Sequence, residues 1–402
     1  MQKLESKREI RNLSILFCMT YMVSYITRIN YGAIIAEMVT ATGFSKSMLS
    51  MAVTGSFITY GAGQIVTGIL GDKFSPKKLV ALGFCITIFM NLLIPVCGNT
   101  YQMTALWCIN GFAQAFMWPP MVRMMTALLH SNDYKKVTTK ISFGSSFGTI
   151  AVYLISPILI TYSGWKSVFI FSALCGIVML VFWQLFARDV TEEDTSVKTK
   201  ASEQGTIAPL MTPVVFAVML TIILQGMLRD GISTWTPSYI SEMYNMGNAV
   251  SILTGVVLAI FSIGCLQAST YIYRKKFKNP IACTSLFFGL GFISSVMLLA
   301  FSGKSPAISV FTLALNSGAM HGVNVILTAM IPPFFKKYGN VSTVSGILNS
   351  CTYIGSAIST YGIAVLSDAH GWNFTLFVWA VIAMLGTAIS LVCIKPWKKR
   401  FM

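Results

Sequence analysis

Charged residues are scarce in this sequence, and acidic ones are the scarcer kind. Asp, Glu, Lys and Arg make up 10% of the 402 residues, whereas an ordinary soluble domain has about 25%. There are 13 acidic against 29 basic residues, and 55% of the chain is hydrophobic. This composition excludes an ordinary soluble protein and is typical of an integral membrane protein.

Patterns that would indicate catalysis or metal binding are also missing. The nine cysteines contain no CxxC pair and no metal-ligand spacing, so we interpret them as small packing residues. We find no nucleophile–base constellation and no glycine loop that could cradle a phosphate. The sequence therefore predicts no enzyme, no metal site and no cofactor.

Long apolar runs dominate what remains. About 20 helical residues cross roughly 30 Å of hydrocarbon, and the strict alternation of a membrane β-barrel is not seen. The first run is too long and too interrupted for a signal peptide, so we expect it to be retained. The pattern predicts an all-α integral membrane protein with twelve transmembrane helices, at approximately 12–38, 47–71, 77–97, 101–128, 137–161, 166–187, 211–241, 248–271, 279–301, 306–331, 341–367 and 372–394.

The distribution of basic residues predicts the orientation. If the even-numbered loops and both termini face the cytoplasm, that side holds 23 Lys and Arg, and the other side holds Lys46, Lys166 and Lys304. Such a bias follows the positive-inside rule. We expect a multi-pass protein of the cell membrane with both termini cytoplasmic, whose basic excess contacts anionic lipid and not nucleic acid.

Three landmarks indicate an internal repeat of about 200 residues. Arg28 corresponds to Arg229 at an offset of 201, and Gly164-Trp165 corresponds to Gly371-Trp372 at an offset of 207. The basic turn GDKFSPKK corresponds to YRKKFKNP at an offset near 202. We predict a six-helix bundle at 1–187, a cytoplasmic linker at 188–210 and a second bundle at 211–402. Two such halves in parallel repeat resemble the major facilitator fold, which binds substrate between its halves near the midplane.

Arg28, Arg123 and Arg229 are the three basic residues that remain after both sides are counted, and all three fall inside predicted spans. A charge at mid-membrane raises the insertion free energy by about 2.5–3.5 kcal/mol, so such residues normally face a wet cavity. Guanidinium groups match phosphate or carboxylate oxygens in bidentate fashion. We predict that Arg28 and Arg229 converge on one anion. Arg123 is either a third anion contact or a residue that snorkels or makes a structural bond, and we favour the second interpretation.

Several neighbours of these arginines have two open interpretations. Tyr21 and Tyr25 precede Arg28 by seven and three residues, so all three share a helix face, where the tyrosines either bind cargo or pack. Trp235 has the same two interpretations. Asp230 either neutralises a cation in helix 7 or carries a proton.

His321 is the remaining polar residue of note, with Asn316 and Asn324 nearby in the same predicted helix. It could line a cavity, but we expect a neighbouring helix to satisfy it.

Four segments carry a narrower resemblance. YMVSYITRIN, MWPPMVRMM, MLRDGISTWTPSYI and GDKFSPKK resemble helices 1, 4 and 7 and the loop 2–3 turn of the organophosphate:phosphate antiporters. The resemblance implies that Arg28, Arg229, Tyr21, Tyr25 and Trp235 line the substrate site.

The gate turn and the departures from the family pattern add further expectations. The resemblance implies that Asp72, Lys73 and Lys77 act at a cytoplasmic gate, although a helix cap with topology charges also explains them. Where the glycerol-3-phosphate carriers have additional cations, this sequence has Ile29, Gln64 and Ser145. We expect Gln64 and Ser145 to contact a different phosphate ester or a carboxylate.

These observations favour a secondary transporter that exchanges a phosphate ester for inorganic phosphate and works as a monomer. The first alternative is proton-coupled symport of a carboxylate or sugar acid, which requires Asp230 or Glu37. The second is a membrane sensor that binds such an anion without transport, as some relatives of these antiporters do.

Overall fold

A computed structural model describes residues 3–188, 212–338 and 341–402, so all but the first residue of the predicted linker lies outside the described residues. The described ranges are helical, without strands. The α-helices are α1 Lys7–Ala33, α2 Ile35–Thr42, α3 Lys46–Lys73, α4 Pro76–Leu93, α5 Thr100–Gln114, α6 Trp118–Leu128, α7 Ser131–Ser163, α8 Lys166–Phe186, α9 Pro213–Tyr244, α10 Asn248–Lys276, α11 Pro280–Phe301, α12 Pro306–Val325 and α13 Val341–Phe401.

The helices match the twelve predicted spans. The first span consists of α1 and α2, the fourth of α5 and α6, and the last two are the parts of α13 on either side of Gly371, where φ is 74°. Within the described residues, eight helices are long and apolar enough to cross a membrane by length and composition. The predicted fold class is confirmed.

Local sequence fixes where several helices begin. Ser75, Asn279 and Ser305 each accept a hydrogen bond from the first turn of α4, α11 and α12, and a proline follows each of them. A side-chain acceptor satisfies an otherwise unpaired N–H group, and proline tolerates the first helical position because its missing N–H is not needed there. The predicted first residues of these three helices agree with the structure within one residue.

Contacts between Cα atoms divide the chain into two compact units. The first comprises Met1–Phe44 and Met51–Thr199, and the second comprises Ser45–Ser50 and Lys200–Met402.

The short stretch at the start of α3 joins the second unit through a buried lysine. Lys46 Nζ lies 2.8 Å from Glu242 Oε2 and 3.5 Å from Asp368 Oδ1, and 5.0 Å from the ring centroid of Trp372. The Trp372 indole N–H donates to the same Glu242 oxygen at 2.9 Å. A buried ammonium group needs such compensation.

Buried amides hold the first unit together around the middle of α1. The Asn30 Nδ2 group donates to Asn91 Oδ1 at 2.8 Å and to Ser172 Oγ at 3.0 Å, which ties α1 to α4 and α8. Gln114 Nε2 of α5 donates to Thr27 Oγ1 at 2.9 Å. Because buried polar groups are costly unless paired, these bonds fix the rotation of α1 about its axis.

The second unit has an equivalent network on α9. Gln225 Nε2 donates to the Met320 carbonyl of α12 at 3.1 Å, and its Oε1 atom accepts from Asn324 at 3.3 Å. Asn316 Nδ2 donates to Ser295 Oγ of α11 at 2.6 Å. The two bonds of Gln225 fix the rotation of α9 against α12, and the Asn316 bond ties α12 to α11.

Glycine contacts repeat between the two halves. In α7, a Cβ atom on Gly148 would strike the Met22 carbonyl of α1; in α13, one on Gly355 would strike the Ile223 carbonyl of α9. The α1 and α9 positions are 201 apart and the glycines are 207 apart, which are two of the three offsets found in the sequence. Small residues allow such close helix approach, so the repeat extends to individual helix contacts.

Candidate functional site

Arg28 lies on a partly buried stripe of α1. Thr27 and Asn30 on either side are fully buried in the network described above, so Arg28 must project from a different face of the helix. The stripe, spaced at three or four residues, consists of Cys18, Tyr21, Met22, Tyr25, Arg28 and Ile29. Tyr21, Tyr25 and Arg28 therefore share a face, as their spacing indicated.

Two aromatic rings hold the guanidinium group of Arg28. Its Cζ atom lies 4.2 Å from the ring centroid of Tyr25 and 4.9 Å from that of Tyr60 in α3. A cation over an aromatic face gains about 0.5–2 kcal/mol, more when it is desolvated. Stacking uses the face of the guanidinium group, so its in-plane N–H groups are the ones that can donate to an anion.

An aromatic wall continues from Tyr25 along the stripe. The rings of Tyr21 and Tyr25 are 5.1 Å apart in an edge-to-face arrangement, and Tyr21 lies 5.1 Å from Trp118 of α6. Such pairs add about 0.5–1.5 kcal/mol beyond their buried area. Tyr21 therefore supports Tyr25, which in turn supports Arg28.

Gln64 lies one turn after Tyr60 on α3, in the same unit. Its Nε2 atom is buried and has no hydrogen-bond partner among the described residues. An unpaired buried amide donor costs about 1–3 kcal/mol, so Gln64 is suited to bind an acceptor on a ligand. Ser145 lies on α7 and is partly buried.

In the second unit, Arg229 is paired with its sequence neighbour. Arg229 Nε donates to Asp230 Oδ1 at 2.7 Å, and its terminal nitrogen donates to Asp230 Oδ2 at 2.6 Å. The Ser356 hydroxyl of α13 donates to that same Oδ2 atom. In this structure Asp230 therefore pairs with a cation of its own helix, α9, which is the seventh predicted span.

This pair is only partly accessible. The Arg229 side chain is 14% exposed and that of Asp230 is 17% exposed. In this bidentate fork the carboxylate offsets the guanidinium charge through two short charge-assisted hydrogen bonds. The second unit therefore presents an ion pair at Arg229, which is one of the two arrangements that the sequence left open for Asp230.

Trp235 lies in the interior of the second unit. It is fully buried, and its indole N–H donates to the Thr360 carbonyl of α13 at 3.0 Å. Since its donor is bonded to backbone, this placement favours the packing interpretation.

Other polar residues in the predicted spans make structural bonds. His321 Nδ1 lies 3.1 Å from Ser262 Oγ of α10 and 2.9 Å from the Ser317 carbonyl. Arg123 donates to the Phe74 carbonyl at 3.1 Å. A neighbouring helix therefore satisfies the histidine, and Arg123 makes the structural bond that we expected.

The predicted gate turn is only partly described, because the side chains of Asp72 and Lys73 lie outside the described residues. Lys77 Nζ donates to the Gln184 carbonyl at the end of α8, at 2.9 Å. The Trp183 indole N–H donates back to the Lys77 carbonyl at 3.0 Å. In this structure Lys77 thus ties α4 to α8 within the first unit.

Tyr60 and Ser356 contact the arginine sites, and sequence reasoning missed both. Tyr60 precedes Gln64 by four residues, so the helical period that places Gln64 also places Tyr60 on that face. That signal could have identified it. Ser356 is 126 residues from Asp230, and no local pattern indicates its contact.

Comparisons with known proteins agree with this architecture. The sequence profile of the Major Facilitator Superfamily matches residues 17–331. The membrane sensor protein UhpC of Escherichia coli (strain K12) is 19% identical over 95% of this chain and 91% of its own. A probable hexose phosphate transport protein of Chlamydia muridarum (strain MoPn / Nigg) is 21% identical over 91% of this chain and 87% of its own.

Solved structures show the same fold. An inward-facing, unoccupied crystal structure of a bacterial homologue of the human lysosomal transporter Spinster covers 99% of both chains with a TM-score of 0.82 at 11% identity. Together these similarities confirm the predicted fold class and the predicted resemblance.

Proposed function

The chain belongs to the Major Facilitator Superfamily, and we propose that it is a secondary active transporter of an organic anion. The cargo is a phosphate ester, such as glycerol phosphate or a sugar phosphate, exchanged for inorganic phosphate by alternating access. Similarity over most of the chain to a probable hexose phosphate transport protein supports this cargo class. We also propose that both termini are cytoplasmic and that the monomer is functional.

The surroundings of Arg28 carry the proposal. The guanidinium group of Arg28 lies on a partly buried helix stripe over the rings of Tyr25 and Tyr60, and ionisable side chains within membrane spans are rare and mark substrate paths. The rings fix the group before cargo arrives, so less side-chain entropy is lost on binding.

Gln64 and the second arginine complete the proposed binding chemistry. The buried Nε2 donor of Gln64 suits a neutral oxygen of the ester or a phosphate oxygen. Arg229 supplies the second guanidinium group once its bond to Asp230 is exchanged for a bond to cargo. Tyr21 and Ser145 remain proposed members of the site, with Tyr21 acting through Tyr25.

Exchange requires only that one binding site be presented alternately on the two sides of the membrane. Cargo binds on one side, the protein reorients, cargo leaves, and inorganic phosphate returns the protein to its first state. No ion gradient other than those of the two anions is needed. Asp72 and Lys73 are proposed to act at the cytoplasmic gate, together with Lys77.

Counterflow in proteoliposomes tests the proposal directly. Vesicles loaded with inorganic phosphate should take up labelled glucose 6-phosphate or glycerol 3-phosphate, and empty vesicles should not. Arg28→Gln and Arg229→Gln should each reduce uptake by about 100-fold or more, since each removes a charge-assisted bidentate contact. Arg274→Gln, the same change at an exposed residue in the last turn of α10, is the matched control.

Two results would contradict exchange. Uptake that is absent with every phosphate ester, or that is unchanged in both arginine variants, is incompatible with it. Ligand binding without flux would instead identify a sensor, which the similarity to membrane sensor protein UhpC supports as an alternative.

The carboxylate of Asp230 supports a second candidate function. An acidic group in contact with a proposed substrate cation could take up a proton when cargo binds, which would give proton-coupled symport of a carboxylate or sugar acid. Uptake of a sugar acid driven by an imposed pH gradient, and lost in Asp230→Asn, would establish symport. Exchange that is independent of the gradient would exclude it.

A further inference from the structure

We propose that the carboxylate of Asp230 is a built-in counter-anion, which binds the guanidinium group of Arg229 when cargo is absent. Cargo must displace this carboxylate in order to bind. The carboxylate thereby sets cargo affinity and assists cargo release. This inference rests on the proposed function, in which Arg229 is a substrate residue.

The geometry shows that Asp230 already fills the position of a ligand. Its two carboxylate oxygens accept from Nε and from a terminal nitrogen of Arg229 at 2.7 Å and 2.6 Å. A phosphate or carboxylate ligand would use the same two donors in the same fork. Cargo and Asp230 therefore compete for one set of N–H groups.

The pairing of these two residues is not a routine consequence of helix geometry. Side chains at adjacent positions of a helix point in different directions and do not normally face each other. The Ser356 hydroxyl donates to Asp230 Oδ2 and so orients the carboxylate toward the guanidinium group. Gly231 follows, and a side chain there would meet Ser359 Oγ, so α13 lies close against α9 at this point.

A histidine of a neighbouring helix lies near the pair. His321 of α12 is the further titratable group that acts on Asp230 electrostatically, and its Nδ1 atom already contacts Ser262 and Ser317. Both members of the pair are partly exposed, at 14% and 17%, so a ligand can reach them.

Competition has a definite effect on affinity. When only a fraction of the protein is competent to bind, the apparent dissociation constant equals the intrinsic one divided by that fraction. If the pair leaves Arg229 available in about a tenth of molecules, apparent affinity falls about tenfold. An exchanger benefits from this, because the return of Asp230 to Arg229 promotes release of cargo.

The main test is the variant Asp230→Asn, which keeps the shape but removes the charge. Titration calorimetry of the purified full-length protein, with inorganic phosphate and with glucose 6-phosphate as probes, should show an apparent Kd about tenfold or more below that of the wild type. In counterflow the same variant should show a lower KM together with a lower maximal rate. Tighter binding is a gain that loss of structure does not produce.

A milder variant covers the case in which Asp230→Asn fails to fold. Ser356→Ala keeps both charges and removes the hydroxyl that orients the carboxylate, and we expect an apparent Kd about two- to fivefold lower. Ser359→Ala, one turn along α13, is the matched control, because Ser359 donates to the Met227 carbonyl and not to Asp230. It should leave the Kd unchanged.

The outcomes separate this inference from the proposed function. If the wild type exchanges phosphate esters but neither Asp230→Asn nor Ser356→Ala binds phosphate more tightly, the counter-anion role is refuted while transport stands. If the wild type shows no exchange, yet both variants bind phosphate more tightly, the transport proposal fails and the counter-anion role stands.

Discussion

Arg28 in the first half and Arg229 in the second are corresponding positions of the repeat, yet their surroundings differ. Arg28 lies over the rings of Tyr25 and Tyr60, whereas Arg229 forms a bidentate ion pair with Asp230. The helix contacts beneath them are alike, since Gly148 meets α1 as Gly355 meets α9. Backbone packing thus follows the repeat, whereas the electrostatic state of each arginine depends on single side chains that need not repeat.

The difference also assigns different roles to the two arginines before cargo binds. Aromatic faces hold a guanidinium group in place without cancelling its charge. A carboxylate cancels the charge and must be displaced. In the proposed mechanism, the first half is therefore prepared to attract an anion, and the second half responds when the anion binds.

Removing each arginine should affect the stability of the protein to different degrees. Arg229→Gln leaves the carboxylate of Asp230 without its cation, so we expect a loss of about 1.5–3 kcal/mol in the free energy of unfolding. Arg28→Gln removes a cation–π contact and should cost only about 0.5–1 kcal/mol. Thermal unfolding in detergent, followed by tryptophan fluorescence, measures both.

The double variant Arg229→Gln/Asp230→Asn provides the control for that experiment. It removes both charges and should recover most of the lost stability without recovering transport. Equal losses for the two single arginine variants, or no recovery in the double variant, would show that the two sites are not electrostatically different.

Alanine at the paired glycines should destabilise the two halves to the same extent, because the two helix contacts are alike. Gly148→Ala and Gly355→Ala each place a Cβ atom against a backbone carbonyl that cannot move freely, and each should cost about 1–3 kcal/mol. Gly362→Ala in α13 has open space and should be neutral or stabilising by up to about 1 kcal/mol. Unequal costs at Gly148 and Gly355 would contradict equivalent packing.

Changes at Tyr60 should have the smallest effect and concern the first half alone. Tyr60→Leu removes a ring face from Arg28 and should weaken binding of phosphate esters by about 2- to 30-fold, corresponding to about 0.5–2 kcal/mol. Tyr60→Phe keeps the ring and should change binding less than Tyr60→Leu. Tyr162→Leu, at an exposed tyrosine of α7, should have no effect. A similar Kd for all three variants would remove the cation–π support from the proposal.

Sequence reasoning placed the helices well but identified few of the residues that contact the arginines. The twelve spans agree with the structure because hydrocarbon requires every backbone group to be bonded within a helix, so length and hydropathy suffice. The shared face of Tyr21, Tyr25 and Arg28 followed from helical periodicity. Trp235 could not be assigned in this way, since its bond to Thr360 joins residues 125 apart.

What the sequence alone determined is the helical membrane fold, its internal repeat and the presence of one arginine in each half at mid-span. These features depend on local composition and period, which the bilayer converts directly into structure. Only the tertiary structure decided that Tyr60 lies over Arg28 and that Ser356 orients Asp230 onto Arg229. Those contacts depend on the rotation and the close approach of the helices, which are set by buried amides and glycines from distant parts of the chain. Such long-range contacts cannot be read from a local sequence pattern.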